Sequence, residues 1–293
     1  MSDARTLAQR LGGHWHGAYG TAPCPVCQPE MRRHQTALTI SDAGGKLLLH
    51  CKKSDCAFRD ILAAGGIVSG NVAPPDPFEI PRREAARRAK AVNRAVQARR
   101  IWDATQSIGG SLAEIYLRTR GITCPLPETL RFQSACWHGA TATRHPALVA
   151  LVVGGDGFAV HRTYLRSDGR GKAAIKPAKA MLGAVAGGAV RLSDIPGALA
   201  VAEGIETALS LSCGLLQDPA TVWAALSTSG MRALSLPSKP GQLIVASDGD
   251  PAGQAAAVAL AERAHATGWD VSLLPAPNRC DWNDVLITKR GTA

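Results

Sequence analysis

No apolar run in this 293-residue sequence reaches the roughly 18–20 residues that a bilayer-spanning helix needs. Residues 1–10 have no apolar centre of the kind a secretory signal carries, so a cytoplasmic protein is the expectation. No G-x-x-x-x-G-K-[ST] sequence occurs; Gly169-Arg170-Gly171-Lys172 is not one, and a P-loop motor is excluded. No internal repeat and no long low-complexity tract is present. Eight cysteines without an export signal argue against a disulfide framework. Hydrophobic residues make up 46% of the chain, which excludes a wholly disordered tail and allows a buried core of one to three domains.

Acidic residues are in short supply overall, and the net charge is +10. The deficit is local. Residues 1–193 hold 27 Lys/Arg against 13 Asp/Glu, whereas residues 194–293 hold 6 against 10. The basic excess therefore lies entirely outside the C-terminal third, and nucleic acid is the expected partner of such a surface.

The first segment is rich in Cys and Gly. Alternating runs at 36–41 and 46–50, separated by Asp42-Ala43-Gly44-Gly45, predict a hairpin, and 60–66 predicts a short closing helix. Residues 73–81 are Pro-rich and read as a linker. A helical, strongly basic stretch follows, with Arg82, Arg83, Arg87, Arg88, Lys90, Arg94, Arg99 and Arg100 before about residue 107. That many like charges repel unless an anion is near, so Arg87 and Arg88 are candidate phosphate contacts. Beyond it, a helix at 112–120, a strand at 130–132 and a hairpin of 147–153 with 158–165 are expected. The final hundred residues alternate short apolar runs (198–202, 221–226, 243–246, 271–274) with helical stretches, the rhythm of a parallel sheet covered by helices.

Two constellations carry chemistry. Cys24-Pro25-Val26-Cys27 is a tight knuckle, and Cys51-Lys52-Lys53-Ser54-Asp55-Cys56 supplies a second pair after the hairpin. Four thiolates from two short loops form a closed tetrahedral Zn²⁺ site that organises a small fold. The second spacing is wide enough that His50 or His34 replacing a cysteine stays open. Cys124, Cys136, Cys213 and Cys280 are scattered and read as buried small residues or bystanders.

In the last hundred residues Glu203, Asp248 and Asp250 each follow an apolar run, and Asp281 and Asp284 come shortly after another. Parallel strands end along one edge, where open α/β folds place their sites. Crowded carboxylates repel unless a divalent cation intervenes, and hard oxygen ligands suit Mg²⁺ or Mn²⁺ in phosphoryl transfer.

Ala202-Glu203-Gly204-Ile205-Glu206, Ser247-Asp248-Gly249-Asp250-Pro251-Ala252-Gly253 and Asp281-Trp282-Asn283-Asp284-Val285-Leu286 resemble the acidic motifs of the toprim domain of topoisomerases and primases. Together with the cysteine ribbon and basic middle, the chain resembles the zinc-binding primases of phages, plasmids and other mobile elements. The resemblance implies a multidomain chain: a small β zinc ribbon (1–68), a Pro-rich linker and basic helix (69–107), an α+β middle region (108–193) and a C-terminal α/β toprim domain with a parallel sheet (194–293). It implies Glu203 as acid/base residue and Asp248 and Asp250 as metal ligands, with Asp284 a further candidate and Glu206 a helix-face residue. Arg162, Lys172, Lys176 and Lys179 become candidates for template or triphosphate.

The activity then expected is synthesis of short RNA primers on single-stranded DNA from nucleoside triphosphates, a Mg²⁺-dependent nucleotidyl transfer. Trp15 and Trp137 are candidates to stack on bases. A toprim nuclease using the same carboxylates is one alternative; an inactive single-strand-binding or loading module is another. A topoisomerase needs a tyrosine nucleophile in a much larger body, and only Tyr19, Tyr116 and Tyr164 are available. With no motor of its own, a replicative helicase on another chain is the natural partner.

Overall fold

The structure, a computed structural model, describes residues 4–32, 34–43, 46–67 and 79–291. It divides into two units, Met1–Arg88 and Ala89–Ala293. Most of the Pro-rich stretch expected as a linker, together with Gly44 and Gly45 of the first hairpin turn, lies outside the described residues.

In the first unit, α1 (Ala4–Arg10) leads into four antiparallel strands in sequential order: β1 (His14–Trp15), β2 (Gly20–Ala22), β3 (Leu38–Ala43) and β4 (Lys46–Cys51). Helix α2 (Phe58–Ala64) follows. The hairpin pairs Leu38 with Cys51 and Ile40 with Leu49, so one strand face buries Leu38 and Ile40 against Leu7, Ala8 and Ile61. That core is small, and Cys24 and Cys51 are part of it.

The unit boundary falls within α3 (Glu79–Asp103). Pro81 sits in its first turn, where a missing N–H breaks no helical bond. Arg87, Arg88, Lys90, Arg94, Arg99 and Arg100 are all exposed along it, while Ala98, Ile101 and Trp102 pack on the sheet that follows. This antiparallel sheet has the order β5 (Gln106–Ser107), β6 (Leu130–His138), β7 (Thr143–Val152), β8 (Ala159–Tyr164) and β9 (Lys179–Gly183), with α4 (Leu112–Thr119) inserted after β5.

The C-terminal sheet has the order β10-β12-β11-β13-β14: β10 (Val190–Arg191), β11 (Ala198–Ala202), β12 (Ala220–Ala224), β13 (Gln242–Ser247) and β14 (Asp270–Pro275). The last four are mutually parallel and β10 is an antiparallel edge. The parallel arrangement agrees with the expectation from the alternating runs. Side chains alternate as strand geometry requires. Ala200, Ala202, Val222 and Ala246 face α5 (Ile205–Ser210) and α8 (Trp282–Gly291). Leu199, Val201, Leu243 and Val245 face α6 (Thr228–Ala233) and α7 (Pro251–His265). Covering both faces with helices is what makes such short apolar strands stable. No described helix is long and apolar enough to cross a membrane.

Candidate active site and cysteine centre

The register of the parallel strands places the acidic residues. Ala202 of β11 pairs with Ala246 of β13, so Glu203 and Asp248 emerge one residue apart in height at the C-terminal edge of neighbouring strands. Ser247 in turn pairs with Pro275 of β14, which brings the loop 276–280 against the Asp248–Asp250 turn. That turn is clamped by Gly249 N–H donating to Cys280 O (2.8 Å) and Arg279 N–H donating to Gly249 O (3.0 Å). Gly249 is required by contact: a Cβ there would stand 1.9 Å from Pro277 O. Asp250 is the N-cap of α7 and accepts from Gly253 N–H (2.7 Å), with Pro251 at the first helical position. Leu226 and Arg279, in two loops that rim this edge, hold positive φ values of 72° and 64°, a strained conformation for their residue types.

The electrostatics follow from this crowding. Burial pushes the Asp248 carboxyl up to about 7, aided by the charges of Glu203, Asp281 and Asp250, and its Oδ1 is buried without a hydrogen-bond partner. Glu203 is raised by burial and then by Asp250, against the opposing pull of Lys179 and the Thr228 backbone N–H. An orphaned, buried carboxylate oxygen among acceptor-only neighbours is a site that a hard divalent cation fits.

Asp281 rather than Asp284 is among the charges raising Asp248. Asp284 is exposed, and its Oδ2 accepts from Asp281 N–H (3.1 Å). Asp281 Oδ1 in return accepts from the N–H groups of Asn283 and Asp284 (2.8 Å each), a reciprocal capping box for α8. Buried Asn283 locks the helix in place, donating to Arg120 O (2.7 Å) and Ser210 Oγ (2.9 Å).

Behind the carboxylates lies a group that sequence reading missed. Glu206, expected on a helix face, is buried. Its Oε1 accepts from Tyr116 Oη (2.6 Å) and pairs with Lys172 Nζ (3.1 Å), while Oε2 meets Lys179 Nζ (3.2 Å). Burial alone would raise Glu206, but Lys179, Lys172 and the Tyr116 hydroxyl outweigh it and hold the carboxyl well below the ordinary range. His161 is buried near the same lysines, and burial, followed by Lys179, depresses it to about 4. The structure thus brings Lys172 and Lys179 together. Arg162 points elsewhere: Lys179 pairs with Thr163 on one face of the sheet, so Arg162 lies on the other. There it donates to Trp137 O (3.3 Å) and lies over Tyr164. Lys176 is exposed.

In the first unit, Cys24, Cys27, Cys51 and Cys56 offer sulfurs that all lie within 4.8 Å of one another, a group able to hold a metal. His34 and His50 stand outside it; His50 lies 3.7 Å from Asp55 instead. Burial raises Cys24. At Cys51 burial is overcome by the N–H groups of Ser54, Cys56 and Lys53, which bring the thiol down to about 6. A four-thiolate, closed set of this kind fits zinc.

Two family models match, and one of them spans the acidic edge. Residues 198–292 match the toprim domain. Residues 92–192, which hold the antiparallel sheet ahead of the toprim domain, match a domain of unknown function, DUF7146. No curated protein matches the chain. Solved structures similar to it include a DNA primase domain from Pseudomonas aeruginosa (17% identity, TM-score 0.37, covering 62% of this chain and 69% of that one). Another is the RNA polymerase domain of Mycobacterium tuberculosis primase DnaG (17%, 0.40, 68% and 79%). A third is the Aquifex aeolicus primase with its zinc-binding and RNA polymerase domains (12%, 0.40, 98% and 83%). At these identities and TM-scores the toprim assignment rests on the sequence family alone.

Proposed function

We propose that the chain is a DNA primase that joins nucleoside triphosphates into short RNA primers on single-stranded DNA. The observation that carries this reading is Asp248, an orphaned carboxylate at a toprim strand edge with Glu203 beside it and paired lysines close behind. Synthesis requires a 3′-hydroxyl to attack an α-phosphorus while pyrophosphate leaves and the hydroxyl proton is taken up. Glu203, half-buried with a raised carboxyl, accepts that proton. Asp248 and Asp250 hold Mg²⁺ or Mn²⁺, with Asp281 a better-placed third carboxylate than Asp284. Such an ion, when bound, neutralises charge on the phosphate oxygens. Lys172 and Lys179 hold the phosphates, and Lys176 remains a candidate for the template on its exposed loop.

The same reading gives the cysteine centre a structural zinc and assigns template contact to the ribbon and to the exposed row including Arg87 and Arg88. Arg162, buried and committed to Trp137 O, supports the sheet in this scheme more than it meets template. The working parts are a zinc ribbon at 1–68, linker and basic helix at 69–107, middle region at 108–193 and toprim domain at 194–293. In a primase of the mobile-element kind with these parts, any unwinding that accompanies priming comes from a helicase on another chain.

The test is incubation of the full chain with single-stranded DNA, labelled nucleoside triphosphates and Mg²⁺ or Mn²⁺. Short products are expected, and Asp248→Ala and Glu203→Gln should abolish them. Products that persist in both variants would remove the site assignment. Strand cleavage without synthesis would favour a toprim nuclease.

A further inference from the structure

We propose that Glu206 is a positioning residue that fixes Lys172 and Lys179 as a paired anchor for the β- and γ-phosphates of the incoming nucleotide. The inference rests on the primase reading for its ligand and on the geometry for its mechanism.

Three separate elements converge on one carboxylate. Glu206 lies in the first turn of α5, its side chain 5% exposed. Tyr116 reaches it from α4, Lys179 from β9, and Lys172 from the loop after β8. A buried carboxylate that served only packing would be neutralised by one cation, since each further charge adds its own desolvation cost. Here two ammonium groups flank one anion, so within this group of three the cations outnumber the carboxylate.

Both lysine side chains retain access to solvent, 36% for Lys172 and 38% for Lys179. An ammonium has three donors, and the bond to Glu206 uses one of them. Lys179 also lowers both Glu203 and Asp248, so its charge is felt at the carboxylate edge as well as at Glu206. A second anion carrying several phosphate oxygens satisfies the surplus charge and the remaining donors. Lysine is a flexible point charge, and without Glu206 the two ammonium groups would repel each other out of register. The Tyr116 hydroxyl on Oε1 fixes the carboxylate itself.

The experiment is equilibrium binding of ATP and of AMP, each with Mg²⁺, to the full chain and to Glu206→Gln, with Tyr116→Phe as a milder variant. Glutamine keeps the size and an acceptor oxygen but removes the charge that gathers the lysines. Glu206→Gln should weaken ATP binding roughly ten- to a hundredfold and leave AMP binding unchanged, because AMP lacks the phosphates in question. Tyr116→Phe should shift ATP binding in the same direction by less. In a synthesis assay, KM for nucleotide should rise more than kcat falls.

Unchanged ATP binding in Glu206→Gln, or equal losses for ATP and AMP, would overturn the proposal. If Glu206→Gln does not fold, the ATP-against-AMP comparison in Tyr116→Phe decides by the same criterion. A wild-type chain that binds ATP with these sensitivities but makes no primers would retire the primase reading and leave the anchor standing. A wild-type chain that binds no ATP overturns both.

Discussion

At the scale of single residues, the site crowds like charges together. Asp248 carries the clearest sign, an unpartnered buried oxygen among Glu203, Asp250 and Asp281. Asp248→Asn removes one like charge and keeps the shape. It should raise the metal-free melting temperature by roughly 2–4 °C and abolish the further rise that Mg²⁺ or Mn²⁺ gives the wild type. Differential scanning fluorimetry with and without the ion reads both effects, and an undiminished ion-dependent rise in the variant contradicts the ligand assignment. His161 gives a second prediction. Its folded value of about 4 lies below its ordinary 6.5, so the folded chain binds fewer protons than the unfolded one between those values. Its contribution is complete above 6.5 and is lost as pH falls toward 4, with a slope of at most about 1.4 kcal/mol per pH unit for one proton. Denaturation across that window should show a shallower acid-side slope in His161→Gln; an identical slope would show that His161 is not the linked group. Glu203, Asp248 and Asp250 were legible because each follows an apolar run within a few residues. Glu206 was not, because Tyr116 lies 90 residues before it and Lys179 lies 27, and no local pattern encodes such convergence.

At the scale of elements, the Asp248–Asp250 turn works because Gly249 lets the 276–280 loop close over it. Gly249→Ala places a methyl group on Pro277 O, and one of the two backbones must move. A loss of about 1–3 kcal/mol is expected in chemical denaturation, together with weaker ion-induced stabilisation. Full retention of both would mean that the turn has slack the contact distance denies. The sequence pattern found the parallel strands well, since each is a short apolar run, and β11 and β13 are bounded by a glycine before and an acidic residue after. It was poorer in the middle region. Strand β6 was expected at 130–132 and extends through His138, past a register shift between Gln133 and Cys136 that breaks its alternation. Strand β9 carries Lys179 at a half-buried edge and reads as a glycine-containing basic loop. The C-terminal motif is ambiguous for a different reason. Asp281 and Asp284 have the same composition and near-identical spacing from β14, and only the capping geometry of α8 separates them.

At the scale of the whole molecule, the two units have cores of very different size. Met1–Arg88 has a small core that includes two of its four clustered cysteines. A zinc-bound sample should contain about one ion per chain, and a strong chelator should unfold this unit while the transition of Ala89–Ala293 survives. Proteolysis followed by mass spectrometry separates the two, and an intact first unit after complete metal removal would contradict a zinc-dependent fold. In the other unit, the proposed activity of the toprim edge is nucleotidyl transfer. The most direct test measures pyrophosphate and product length together, using the full chain, mixed-sequence single-stranded DNA, the four nucleoside triphosphates and Mg²⁺ or Mn²⁺. Short RNA should appear with one pyrophosphate released per bond formed, and both should vanish in Asp248→Ala. DNA fragments without pyrophosphate, or RNA synthesis indifferent to Asp248, would contradict it.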